Sequence, residues 1–223
     1  MNLKERIKEI LKLFGDKAVI VGRIAIYIHL GELYYMTKDL DVNFLPETNI
    51  KKLLREIEKK GFSVEYETET VDELVKKLEA GLVVKIYVDG LPIDACMRDV
   101  PFKEAMLDDI KVRVVDEREL IRSRFKGLCG KNPDDTWLVD LVYLRRKYPN
   151  KWRAEYESLS LDEKKAIKNL IAKFIYSWED VKDNIPKKYR DEAVNMIKQL
   201  GELIQNDIEK MTKREMQRRK VEQ

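Results

Sequence analysis

The sequence predicts an α/β (α+β) domain with a mixed sheet over residues 1–116, followed by an all-helical domain over residues 117–223. Three observations lead there. Short apolar runs alternate with helical stripes as far as Val115. Asp89-Gly90 separates two apolar runs, the strongest short-range hairpin signal, so some strands must be antiparallel. After Asp116 only helical patterning remains.

The elements follow in order. Leu3, Ile7, Ile10, Leu11 and Phe14 form one helical stripe, ended by Gly15-Asp16. Ala18 to Val21 is an apolar run of buried-strand length, broken by Gly22. Ile24 to Leu30 reads as a short helix ending near Gly31, and Leu40 to Leu45 as a strand closed by Pro46. Ile50 to Lys60 is an amphipathic helix, Phe62 to Tyr66 a strand, and Val71 to Ala80 a helix followed by glycine. Val83 to Val88 and Leu91 to Cys96 are the hairpin arms. Pro92 then requires an edge or a non-bonded position. Lys111 to Val115 is a further strand, and helices are predicted over 117–128, 134–147, 161–177 and 188–220.

Composition narrows the class. Hydrophobic residues are 44% of the 223 and charged residues 38%. The first figure is that of a chain able to bury a core, so a disordered or fibrous protein is excluded. No apolar run approaches the roughly 18 residues of a membrane-crossing helix, and the charged N-terminus carries no signal-peptide core. The expectation is a cytoplasmic protein with no membrane partner. Cys96 and Cys129 are far apart and read as buried small hydrophobes rather than a disulfide. The net charge of +3 divides unevenly: residues 1–110 hold 17 Lys/Arg against 21 Asp/Glu, and residues 111–223 hold 27 against 20. An acidic half before a basic half suggests a metal or catalytic site first and a polyanion-facing surface second.

The chemistry concentrates in the carboxylates. Asp39 and Asp41 lie two apart on a predicted strand, which aims both at one face and leaves Leu40, Val42 and Phe44 for the other. Two carboxylates this close repel unless a cation intervenes, and hard oxygen ligands select Mg²⁺ or Mn²⁺. Asp94 interrupts the apolar arm Leu91 to Cys96 and is a third acid, costly there unless paired or ligating. Three such acids make a two-metal site: one ion holds a nucleoside triphosphate, and the other activates an acceptor hydroxyl for in-line attack on the α-phosphate. The competing reading of Asp39 and Asp41 is a solvated strand edge.

An apolar strand ending in Gly22, a short helix, then Thr37-Lys38-Asp39-Leu40-Asp41, with Asp94 on a later strand, resembles the DNA polymerase β-type nucleotidyltransferase superfamily. The finer pattern, Val-Gly-x-x-Ala-x-x-x-His-Leu-Gly before Thr-Lys-Asp-Leu-Asp, is similar to the AbiEii/MenT-like toxin nucleotidyltransferases. Leu120 to Leu128 and Trp137 to Leu141 look like helical motifs of that group. The resemblance covers residues 18 to about 145. It implies a nucleotidyltransferase-like N-terminal fold, with Asp39, Asp41 and Asp94 as catalytic and metal-binding residues. Gly22, Arg23, Thr37, Lys38, Arg124, Lys126 and Asp140 become the nucleotide-binding set, and a cognate antitoxin becomes a candidate partner. Arg23 departs from the family's second small residue, and so either obstructs the phosphates or supplies a cation to them. His29, the single histidine, matches one seen in similar sequences, while its plain reading is a structural helix-end residue.

Residues 142–153 hold five cations, Arg145, Arg146, Lys147, Lys151 and Arg153, with Tyr143, Tyr148 and Trp152 interleaved and no acid. Cations for phosphates and aromatics for stacking suit a single-stranded RNA or DNA end, and a helix C-terminus with core aromatics is the alternative. The combined expectation is a Mg²⁺-dependent nucleotidyltransferase (Mn²⁺ as alternative). It moves an NMP from NTP to an acceptor hydroxyl, preferably the 3′ end of an RNA such as tRNA, as a toxin of a toxin–antitoxin pair. Transfer to a protein or small molecule, and a non-catalytic RNA-binding or antitoxin relic, are the alternatives.

Overall fold

The structure is a computed structural model and describes residues 3–32, 38–134 and 136–221, with side chains through Arg218. The chain order is α1 (Leu3–Phe14), β1 (Ala18–Ile20), α2 (Gly22–Leu30), β2 (Leu40–Phe44), α3 (Ile50–Lys59), β3 (Val64–Tyr66), α4 (Val71–Glu79), β4 (Val84–Val88), β5 (Leu91–Met97), β6 (Phe102–Leu107) and β7 (Ile110–Val115). Helices follow: α5 (Glu117–Leu128), α6 (Trp137–Lys147), α7 (Pro149–Glu157), α8 (Leu161–Tyr176), α9 (Trp178–Val181) and α10 (Arg190–Val221). Two compact units divide between Leu120 and Ile121, inside α5. The first turn of α5 stays with the sheet because Glu117 is ion-paired to Lys103 of β6.

The first unit is a seven-stranded mixed sheet in the order β3-β4-β5-β2-β1-β7-β6. The pairs β2/β5 and β1/β7 are parallel and the others antiparallel. Leu40, Val42 and Phe44 are fully buried, and Phe44 meets Phe14 of α1 edge-on at 5.2 Å between ring centroids. The apolar stripes of α3 and α4 (Leu53, Leu54, Ile57, Leu74, Leu78) are also buried. Each of these helices starts at a side-chain cap: Asn49 accepts from Lys52 N–H at 3.0 Å and Thr70 from Glu73 N–H at 3.2 Å.

The hairpin forms as its turn demands. Asp89 and Gly90 have φ of 47° and 72°, both left-handed, and Val88 pairs with Leu91. The strand holding Pro92 is not an edge, since β5 lies between β4 and β2. Pro92 faces Tyr87, the non-bonded pair next to the turn, and pairing with β2 begins only at Ile93. Its missing N–H therefore breaks no ladder bond.

Three elements escape the sequence reading, the four-residue α9 among them. Edge strand β6 exposes Phe102, Glu104 and Met106, so it shows no apolar face to the pattern. Helix α7 opens with Pro149, which reads as a breaker although proline is well tolerated in a first helical turn.

In the second unit α6 is buried from Leu138 to Leu144. Helix α8 buries Ile167, Ile171 and Phe174, and α10 buries Ala193, Ile197, Leu200 and Ile204 at helical spacing. A capping box, Ser160 with Glu163, starts α8. Among the described residues no helix is long and apolar enough to cross a membrane.

Candidate active site

Strand register assembles the first unit's polar row. Asp41 of β2 lies beside Asp94 of β5 in the parallel pairing, and Asp94 lies opposite Lys85 of β4 in the hairpin. Residues paired across neighbouring strands project to the same face, so Lys85, Asp94 and Asp41 form one row over three strands. Lys85 Nζ stands 3.5 Å from Asp94 Oδ1, with both side chains about one-third exposed. The Asp94 carboxylate raises the Lys85 ammonium above its ordinary lysine pKa. The flanking residues Ile86, Ile93, Ala95 and Val42 are fully buried, which fixes the row against slippage.

The other end of the row is closed by backbone. Val21 N–H donates to the Asp41 carbonyl at 3.0 Å. Gly22 follows with φ +61°, and a Cβ built on it would fall 1.9 Å from Asp41 Oδ2 and 2.4 Å from its Cγ. Only glycine lets the Asp41 carboxyl lie against the chain here. Gly22 also begins α2, whose N-terminus has no side-chain cap. The first N–H groups of a helix carry partial positive charge that favours an anion. Arg23, partly exposed, occupies that first turn.

Asp39 lies in a bend just before β2, not in the strand, so strand alternation does not set its direction. It is half-buried, and Lys38 before it is exposed. Thr37 lies outside the described residues. Among the described residues no three acidic, histidine or cysteine side chains gather as a ready-made metal cage. Mg²⁺ asks for less than such a cage: one or two carboxylates, substrate phosphates and water suffice. Asp41, with half-buried Asp39 two residues before it, is a hard-oxygen pair of the kind such an ion takes.

His29 takes the structural role. It is 6% exposed, and its Nε2 is 2.7 Å from the Val115 carbonyl while Nδ1 is 3.8 Å from Glu117 Oε1. This ties the end of α2 to the end of β7. Burial pushes its pKa below the ordinary histidine value, outweighing the Val115 carbonyl, which acts the other way.

In the second unit two expected phosphate ligands find each other instead. Arg124 Nε and Asp140 Oδ2 are 2.8 Å apart, 6% and 2% exposed as residues, and the guanidinium also lies over the Trp137 ring. A buried arginine neutralised by an interior aspartate is a core ion pair. Lys126 remains exposed on α5.

The basic stretch divides likewise. Arg145, Arg146 and Arg153 line a cleft of about 450 Å³ with Gln199 and Leu203 of α10. Arg146 is also paired to Glu192 at 2.6 Å. Lys147 and Lys151 are exposed. Trp152 is 3% exposed, stacked on Tyr156 at 4.9 Å and 17°, with Arg145 over its ring. Its faces are thus taken, and Tyr143 is equally buried. These two aromatics are core groups in this unit.

The residue that sequence reasoning missed is Lys85. The signal was present: a two-residue Asp89-Gly90 turn pairs 88 with 91 and therefore 85 with 94.

No protein-family model and no curated protein matches this chain. Solved structures do. Protein JHP933 of Helicobacter pylori matches with TM-score 0.57 and 19% identity over 94% of this chain and 93% of that one. A candidate nucleotidyltransferase of H. pylori matches with TM-score 0.57 and 19% identity over 93% and 96%. The aminoglycoside nucleotidyltransferase ANT(2″)-Ia, solved with adenylyl-2″-tobramycin, lies further off at TM-score 0.44 and 18% identity over 78% and 98%. The likeness to the two H. pylori structures, at 19% identity, establishes the fold alone: a mixed sheet followed by a helical region.

Proposed function

We propose that this protein transfers a nucleoside monophosphate from an NTP to an acceptor hydroxyl and releases pyrophosphate. One observation carries the reading: Asp41, seated against Gly22 at the start of α2, lies in register with Asp94 on the neighbouring strand. Asp39 and Asp41 are the residues that would hold Mg²⁺ or Mn²⁺, which when bound neutralises triphosphate charge. The N–H groups opening α2, with Arg23, receive the phosphates, and Lys38 is a further cation for them. Asp94 takes the proton of the acceptor hydroxyl. The acceptor oxygen bonds to the α-phosphorus, and the bond to the bridging oxygen breaks with its electron pair leaving on pyrophosphate.

For the acceptor we favour an RNA 3′ end such as that of tRNA. The excess of cations in residues 111–223 supports this, as does the arginine-lined cleft of Arg145, Arg146 and Arg153. Lys147, Lys151 and the frame supplied by Trp152 extend that surface. The role of toxin, with a cognate antitoxin as partner, rests on the sequence resemblance. The test is incorporation of labelled nucleotide, with each of the four NTPs, into total RNA, into protein, or into small acceptors such as aminoglycosides. Label in RNA is expected. Label only in protein or small molecules would redirect the acceptor, and no incorporation with any NTP would refute transfer altogether.

A further inference from the structure

Asp94 has a charged neighbour on each side, and they differ in sign. Asp41 is beside it on β2 and Lys85 faces it from β4. The hairpin leaves Lys85 little choice of place. The tight turn sets the pairing, and Val84, Ile86 and Val88 on one arm with Leu91, Ile93 and Ala95 on the other are all buried. Sliding by one residue would drive all of them out of the core. The ammonium is therefore a built-in cation at the outer carboxylate, 3.5 Å from Oδ1. A divalent ion on that same carboxylate would meet a like charge within a few ångströms. On the side away from Asp94, Asp41 meets the backbone at Val21 and Gly22.

We propose that Lys85 stands in place of the acceptor-side metal, so that this protein works with one divalent ion, held by Asp39 and Asp41, rather than two. The inference rests on the nucleotidyl-transfer reading above. Lys85 acts as a positioning residue. It holds the Asp94 carboxylate in line for the acceptor's hydroxyl proton, and its charge offsets the repulsion between Asp94 and Asp41 before any substrate arrives. This replaces the two-metal arrangement expected from the three acids alone.

The experiment counts bound Mn²⁺ by electron paramagnetic resonance, on the full chain with a non-hydrolysable NTP analogue. The wild type is expected to bind one ion per chain. Lys85→Met, which removes the charge but keeps the stem, is expected to bind two. Lys85→Arg, which keeps the charge, should remain at one. Melting curves confirm that each variant is folded. Two tightly bound ions in the wild type, or a single ion in Lys85→Met, would overturn the role of Lys85 and leave nucleotidyl transfer standing. A wild type that binds the analogue in no metal condition would remove the transfer reading and this inference with it.

Discussion

Replacing Gly22 by alanine tests the geometry on which the site depends. The new Cβ would land 1.9 Å from Asp41 Oδ2, and the carboxyl must retreat to the 3.4 Å of ordinary contact. The clash reaches back to Asp41 Cγ and Cβ at 2.4 and 2.7 Å, so a small swing of the carboxyl tip does not relieve it. The backbone at φ +61° adds a left-handed penalty of about 1–2 kcal/mol for any L-residue. Reduced freedom of the unfolded chain returns about 0.4–1 kcal/mol. An Asp41 side chain forced off its rotamer costs about 0.5–1.5 kcal/mol. The net loss is about 2 kcal/mol, or roughly 4–8 °C in Tm for a chain of this size. Activity should suffer more, because misplacing a reacting group by about 1 Å can cost on the order of 100-fold. The assay is labelled-NTP incorporation beside a thermal melt. Gly31→Ala is the control: its φ is +81°, but nothing lies within 4 Å of the added Cβ. It should lose only the backbone part, about 1 kcal/mol, and keep its turnover. Wild-type turnover in Gly22→Ala, or an equal loss of turnover in Gly31→Ala, would refute the reasoning.

Four further outcomes are expected. Asp41→Asn should abolish transfer while Tm without Mg²⁺ holds or rises, since one of two neighbouring carboxylates is neutralised; unchanged turnover rejects the assignment. Arg23→Ala should raise KM more than it lowers kcat, by about 1.5–3 kcal/mol for a lost bond to a charged group, and steady-state kinetics reads the split. Asp140→Asn should cost about 3–5 kcal/mol by leaving Arg124 buried without its counter-charge, while Arg124→Met with Asp140→Leu recovers most of it in denaturant melts. Burial lowers the pKa of His29 from 6.5, so the unfolded chain binds its proton first as pH falls. Its contribution to stability is full above pH 6.5 and declines below it, with a slope of up to about 1.4 kcal/mol per pH unit. Urea melts at several pH values should show that limb flattened in His29→Gln.

Where the sequence speaks clearly, a local rule decides the outcome. The Asp89-Gly90 turn, the caps at Asn49, Thr70 and Ser160, and the apolar periods of α1, α3 and β4 need only neighbours in the chain. Asp41 and Asp94 stand out for the same reason, as acids set among residues whose apolar character marks a core strand. The exposed edge β6 and the proline-led α7 were hidden because their local patterns resemble loops.

By itself, then, the sequence determined most of the elements, the mixed sheet before a helical region, and the acids worth watching. Tertiary structure decided which charges meet. Arg124 and Asp140 look like ligands along the chain, yet they neutralise each other because both face the interior of one helical unit. Trp152 looks like a stacking surface, yet core packing against Phe125 and Tyr156 occupies it. Lys85 looks like any surface lysine, yet cross-strand register brings it to Asp94. Periodicity fixes the face a side chain takes on its own element. The partner on that face belongs to another element, and long-range pairing chooses it.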